Sequence, residues 1–545
     1  MRVSVVVAVL GQLTLSALAQ TDSPAFEEKG FNVTQALLDQ GVKPAQLPPA
    51  ASKSKRASSN NCAAACTSLS LIFGSKAVLT SKNPAYTTFT DSYWSLQQAD
   101  VDPACVFLPS VNTDVSVLVL LSRLTQCPFA AKSGGHAAMK GASNIPNGIT
   151  VSFEKLKKIT LAKDKKSVVI QPGNNWGEVY KTLNPKDVTV TGGRVSVVGT
   201  GGLTLGGGIS YFSNLYGWAC DNVISYELVT ATGLIITVSQ STFPDLYWAL
   251  RGGGNNFGLV TEFKFQAHPL PGGNIWGGVK LYTVDPDGDA VADAFADVVE
   301  NSPKDPNASL LVAWTQLGGQ ELAGAQLSYA KPNGGNAAIF DKFNALTPVV
   351  DDTKNRNIYD WGRELDTANP YGFRDVYACI TVKASAEIAK LARKIYYEEL
   401  PPVADPAVTN PSLVMQGITK GQIAGMQRNG GNPLGITDGP LYLFHIGTWW
   451  DTPSDDAEKF EFVTRVFTRI MDEAKKRGLE SEYLYMNYAA EFQRVVPSYG
   501  KENVARLKKI RGVVDPTKVF EKLQPGHFKL DGAPIPNTNY YSGLL

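Results

Sequence analysis

The sequence predicts a mixed α+β fold in two parts, and three observations predict it. From about residue 100 to 270, short strand patterns alternate with glycine loops and short helices. The stretch Pro269 to Gly273 then interrupts the chain. Beyond it, from about 274 to 480, strands such as Ile275 to Tyr282 stand beside amphipathic helices such as Ala457 to Arg477. At 545 residues the chain can build a large core. Its 43% hydrophobic and 19% charged residues are a globular composition rather than a disordered one. A net charge of +1, with no basic stripe interleaved with aromatics, excludes the electrostatic footprint of nucleic-acid binding.

Taken in order, the N-terminus reads as a secretory signal over residues 1–19. Met1-Arg2 gives the positive start, Val5 to Leu10 the apolar run, and Ala17-Leu18-Ala19 the small-residue cleavage pattern. Gln12, Thr14 and Ser16 interrupt the apolar character and weaken a membrane-anchor reading, and no later stretch reaches the roughly 20 apolar residues that span a bilayer. Residues 20–60, rich in Pro, Ala, Ser, Lys and Asn, read as a flexible leader. Lys55-Arg56 within it is either a processing site or a pair of solvated charges.

Secretion permits disulfides. Of the six cysteines, Cys62, Cys66, Cys105 and Cys127 cluster early and can form two bridges, with the connectivity open. Cys62 and Cys66 make a poor zinc signature, because no histidine pair follows at ligand spacing, and His268, His445 and His527 are scattered; no metal is expected. Asn32-Val-Thr34 and Asn307-Ala-Ser309 are glycan acceptor sequons.

Further along, Ser167 to Pro172 reads as a strand and Asn175 to Leu183 as a helix. Thr232-Gly233 joins two strand patterns as a hairpin. Asp245 to Arg251 is a helix stopped by Gly252-Gly-Gly254, and Gly258 to Phe265 is a strand with alternating faces. Near the C-terminus, Tyr483 to Tyr488 is expected as a strand and Asn503 to Arg511 as a helix.

The densest chemical signal is a pair of glycine loops: Ser133-Gly134-Gly135-His136, and Gly199-Thr-Gly-Gly-Leu-Thr-Leu-Gly-Gly-Gly208. Glycine lets the main chain approach a ligand, and successive backbone N–H groups form an anion-binding nest. Neither loop is a Rossmann fingerprint, since the sixth position from Gly199 is Thr204, and no P-loop occurs. The cradle is therefore of another kind.

The motifs Lys132 to His136, Gly173 to Tyr180, Gly192-Gly-Arg194, Gly199 to Gly208, Asp221-Asn222, Trp248 to Gly254 and Asn256 to Thr261 resemble, in order, the vanillyl-alcohol-oxidase-type FAD-binding domain. Tyr485-Met-Asn-Tyr488 and Asp515 to Phe520 are similar to the closing segment of its berberine-bridge-enzyme-like branch, in a secreted fungal form; together the motifs cover roughly residues 60 to 528. The resemblance implies a two-part FAD-binding domain, residues 61–271 and 481–530, around an antiparallel-sheet substrate domain covered by helices, residues 272–480, with a tail at 531–545.

It also implies roles for matched positions. Ser133, Gly134 and Gly135 correspond to the pyrophosphate loop, and His136 to the histidine that carries FAD covalently. Gly199, Gly201, Gly202, Leu203, Thr204 and Gly206 correspond to the second loop along the flavin; Gly258, Val260 and Asn487 correspond to further cofactor contacts. Where many relatives attach the flavin a second time through cysteine, this chain has Val195, so a single link is expected. Val198 falls at the position that gates oxygen, and valine there accompanies oxidase activity.

FAD-dependent oxidation needs orientation and a proton acceptor from the protein. The resemblance implies Tyr488 as the base, since relatives place a catalytic tyrosine in the same Asn-Tyr dipeptide; Tyr485 is the second choice, because strand alternation would set it on the opposite face. In relatives Arg-Asp follows the Asn-Tyr dipeptide; here it is Ala489-Ala-Glu491. His445, Trp450, Arg374 and Gln416 are the expected substrate contacts. The reading is a secreted FAD-linked oxidoreductase, a monomer acting on a small-molecule alcohol, sugar or secondary metabolite with oxygen as acceptor. Its rivals are a cyclase or desaturase of the same family and a flavin-fold binding protein that has lost turnover.

Overall fold

The computed structural model describes residues 26–48, 59–401, 409 and 411–532. The expected signal peptide, Lys55-Arg56 and nearly all of the tail lie outside these residues. Part of the expected leader does not. Asn32 caps a helix, Val33–Asp39, by accepting from the Gln35 N–H at 3.1 Å. Leu37 on that helix is fully buried, and the Phe26 N–H donates to Val513 O at 2.9 Å. Over residues 26–48 the flexible reading is thus corrected: one apolar face of a seven-residue helix is enough to dock a polar-looking segment.

The first part of the chain builds two sheets. Val78–Leu79, Cys105–Phe107, Ile149–Ser152 and Phe129–Lys132 form a four-stranded sheet in that order, its last three strands parallel. The helix Asn112–Thr125 packs into the same core, with Val115, Leu118 and Leu121 fully buried. Disulfides Cys62–Cys127 and Cys66–Cys105 tie the helix Ser59–Phe73 to this unit, settling the pairing that spacing left open. A five-stranded antiparallel sheet follows: Ile159–Leu161, Ser167–Ile170, Leu259–Gln266, Val223–Val229 and Ile235–Ser239.

The second part is one nine-stranded antiparallel sheet that runs from Asn274–Thr283 to Glu480–Ser481. Its strands alternate strictly. Val312, Leu413, Met415, Phe444, Ile446, Val376 and Ala378 face the helices Val284–Asn301, Ala386–Glu399 and Asp456–Lys476 and form a second core. The intervening residues, among them Leu311, Ala313, Ser412, Val414, His445, Gly447 and Tyr377, face the first part of the molecule across a cavity. Among the described residues, no helix is long and apolar enough to cross a membrane.

Residues 483–488 are not a strand. The aromatic-rich apolar run Tyr483 to Met486 has the composition of a strand, but no neighbouring strand pairs with this stretch. The chain instead closes a 3-10 turn at Met486–Tyr488, the Tyr488 N–H donating to Tyr485 O at 3.0 Å. The second glycine loop likewise contains a short helix, Thr200–Leu205.

Candidate active site

The two glycine loops, far apart in sequence, cross main chain against main chain. A Cβ on Gly134 would stand 2.5 Å from the Gly199 nitrogen, and one on Gly199 would overlap the Gly134 nitrogen. Only glycine at both positions permits that approach. Gly135, at φ +75°, turns the chain just before His136. Ser133 locks the crossing, its hydroxyl donating to Pro172 O at 2.5 Å and accepting from the Gly201 N–H at 3.0 Å. The crossing forms one wall of a cavity of about 760 Å³.

His136 stands on this wall. Its ring stacks on Trp94 with centroids 4.2 Å apart and planes 8° from parallel. Its Nε2 is buried and has no hydrogen-bond partner, and burial pushes the imidazole down to about 4, so it is neutral at physiological pH. A neutral, fixed imidazole with a free nitrogen in a glycine-walled cavity fits covalent attachment of a flavin. Gly199, Gly201, Gly202, Leu203, Gly258 and Val260 share the lining, as do Val195 and Val198. Thr204 and Gly206 do not line it. The Thr204 hydroxyl donates to Thr200 O within the short helix, and Gly206 abuts the Asn487 amide.

The 3-10 turn brings the two tyrosines together, correcting the expectation of opposite faces: their rings meet edge to face at 4.8 Å. They do different things. The Tyr485 hydroxyl accepts from the Gly208 and Ile209 N–H groups at 3.1 and 3.2 Å and from the Asn487 amide at 2.9 Å. Burial pushes its phenol upward, so it acts as a neutral brace that ties the C-terminal turn to the second glycine loop. The Tyr488 oxygen, half-buried, accepts from Arg194 Nη2 at 2.9 Å, and the same nitrogen donates to Gln416 Oε1 at 2.8 Å. His445 lies 4.3 Å from the Tyr488 ring, and burial beside Arg194 pushes its imidazole down to about 3.

The remaining expected substrate residues divide. His445 lines the cavity, whereas Gln416 is buried behind it, 3.4 Å from His445 Nδ1 and bonded to Arg194. Arg374 reaches only the end of the cavity, and its guanidinium is held by Asp456 at 2.6 and 2.5 Å. Trp450 is turned into the helix-facing core and donates to Asp456 at 2.7 Å. Its neighbour Trp449 takes the cavity face, a one-residue correction that follows from strand alternation. Sequence reasoning gave no role to Arg194, although the Gly192-Gly-Arg194 motif contained it, and it missed Trp94, Tyr377 and Asp375, for which a single sequence holds no signal. Among the described residues, no three His, Cys, Asp or Glu side chains gather to hold a metal ion.

These features define a flavin site at the seam of two domains, and comparisons with known proteins agree. A family profile described as "FAD binding domain" matches residues 103–239, and one described as "Berberine and berberine like" matches residues 484–525. The chain is 36% identical over 453 residues to the FAD-dependent monooxygenase tpcD of Cochliobolus heterostrophus, covering 81% of this chain and 87% of that protein. It is 32% identical over 468 residues to the bifunctional solanapyrone synthase of Alternaria solani, covering 86% and 89%. A solved structure of xylooligosaccharide oxidase from Myceliophthora thermophila superposes at a TM-score of 0.69, with 19% identity over 88% of this chain and 99% of that one. For 6-hydroxy-D-nicotine oxidase from Arthrobacter nicotinovorans the TM-score is 0.70, with 19% identity over 83% and 97%. The chain belongs to the berberine-bridge-enzyme-like family of FAD-dependent oxidoreductases.

Proposed function

We propose that this protein is a secreted oxidase that holds FAD through a single bond to His136 and oxidises a small-molecule substrate. The observation that carries this reading is the unpartnered Nε2 of His136, set on the glycine wall of the same cavity that Tyr488 and Arg194 line. The Val195 side chain cannot make a thioether, which leaves one link. FAD held there would supply a two-electron acceptor for a hydride, with oxygen as the terminal acceptor.

The residues of the chain do the rest. Tyr488 accepts the proton of the substrate hydroxyl as the adjacent C–H bond breaks, and the Arg194 guanidinium holds the phenolic oxygen and offsets its charge. Tyr485 and Asn487 fix the turn that presents Tyr488. The likeness to solanapyrone synthase favours a secondary metabolite over a sugar as substrate, and the chain acts on it as a monomer.

Purified protein is expected to be yellow, with the colour staying on acid-precipitated polypeptide. His136→Ala is expected to release the flavin into the supernatant. Free flavin from the unaltered protein would overturn the covalent link. N-terminal sequencing of the exported protein tests secretion, with a start after Ala19 expected.

A further inference from the structure

Across the cavity from the glycine wall, one cross-strand pair carries polar atoms that bond to nothing. Asp375 and Trp449 are directly opposed in the register of the strands Arg374–Lys383 and Leu441–Trp450, and both line the cavity. They share the face that carries Tyr377 and His445. Asp375 is only 3% exposed, yet its Oδ2 has no partner, and neither has the Trp449 Nε1. The position is held in place. Gln97 grips the Asp375 main chain from both sides, accepting from its N–H at 3.0 Å and donating to its carbonyl at 2.8 Å.

The cation adjacent in sequence, Arg374, is directed to the opposite face and committed to Asp456. With burial unopposed by any cation, the Asp375 carboxyl is pushed up to about 9, so it keeps its proton at neutral pH. A protonated carboxyl and an indole N–H, carried by opposed residues on one face of the sheet and both unpartnered, are two hydrogen-bond donors. A buried group left unmatched costs roughly 1–3 kcal/mol, so such a pair points to a ligand that brings an acceptor.

We propose that Asp375 and Trp449 form a substrate-orienting subsite that grips a carbonyl oxygen of a planar, largely apolar molecule, with Asp375 serving as a neutral donor. The inference rests on the reading of this cavity as the substrate site and names its substrate class. The rings of Trp94, Tyr377, Tyr488 and His445 supply flat apolar walls, with Trp94 5.6 Å and Tyr488 6.0 Å from Tyr377. A ketone, quinone or lactone oxygen has two lone pairs and accepts from both donors at once. A protonated amine would set donors against donors.

Isothermal titration calorimetry on the full-length protein tests this with three probes of one shape: 9-fluorenone, fluorene and protonated 9-aminofluorene. Fluorenone is expected to bind about tenfold more tightly than fluorene, the factor one good buried hydrogen bond gives. Asp375→Asn, which keeps a donor, retains that preference. Asp375→Leu and Trp449→Phe, which each remove a donor, reduce it to near unity, and the milder Trp449→Phe keeps the test valid should the leucine variant not fold. Equal binding of fluorenone and fluorene, or no binding of any probe, overturns the inference. Tightest binding of 9-aminofluorene, lost in Asp375→Asn, also overturns it and makes Asp375 an anionic site for amines. Flavin content is scored separately: a colourless protein sinks the flavin reading, whereas a yellow one without fluorenone preference sinks this inference alone.

Discussion

On the glycine wall of the cavity the main chain makes the contacts; on the sheet wall the side chains do. Gly134 and Gly199 leave no room for a Cβ, the Ser133 hydroxyl is engaged by Pro172 and Gly201, and the Tyr485 hydroxyl accepts from Gly208, Ile209 and Asn487. The sheet wall has most of its backbone engaged in strand pairing and offers what projects from it, His445, Tyr377, Asp375 and Trp449 among them, with polar atoms of the last two unpartnered. The two walls divide the labour. A wall of packed main chain tolerates almost no substitution and suits a constant ligand. A wall of projecting side chains on a rigid sheet can be respecified one residue at a time.

The largest effect should come from breaking the glycine wall. Gly199→Ala drives a Cβ into the Gly134 nitrogen, backbone against backbone, where neither side can yield cheaply. A loss of about 3 kcal/mol is expected, at the upper end of overpacking costs, together with loss of bound flavin; denaturant melts and absorbance of the purified protein measure both. A variant as stable and as yellow as the parent would mean that the wall is softer than its geometry.

Next in size is the pair of tyrosines at the junction of the walls. Tyr488→Phe should lower kcat roughly 10²- to 10⁴-fold, the range for losing a positioned acid or base, while flavin content holds. Tyr485→Phe should instead lower the melting temperature, because three donors lose their acceptor. Steady-state peroxide release and thermal melts on both variants separate the proton acceptor from the brace, and equal kinetic effects would merge them.

A further test belongs to the sheet wall and concerns pH. The Asp375 carboxyl is pushed up to about 9 in the folded protein against about 4 for an exposed aspartate. The folded state therefore holds a proton that the unfolded chain releases, so stability from this group is complete below pH 4 and is lost as pH rises toward 9. Asp375→Asn, neutral throughout, is expected to melt with the parent at pH 4 and above it at pH 8. Parallel melting curves across that range would show that the carboxyl is ionised in the folded protein.

Much of the first wall was legible in the chain, because each glycine and its neighbours are contiguous and the motifs follow one another in order. The strands and helices with clean periodicity were legible too, as at Trp176–Leu183 and Leu259–Gln266. Two misreadings share a cause. Tyr483 to Tyr488 has strand-like composition but no neighbouring strand to pair with, and strand composition without a pairing partner does not make a strand. Trp449 rather than Trp450 meets the cavity, and nothing local reveals which face of a strand does so, since the two faces differ by one residue.

By itself, the sequence determined the cofactor: loops dense in glycine, a histidine at the end of one, and the ordered companion motifs are local facts that survive without coordinates. Tertiary structure decided everything that depends on distant segments meeting. It set Arg194 on Tyr488 across 294 positions, locked Gly134 against Gly199, and opposed Asp375 to Trp449. Such contacts follow from how sheets register and domains close, and burial, which makes a carboxyl neutral or an imidazole uncharged, exists only once they have formed.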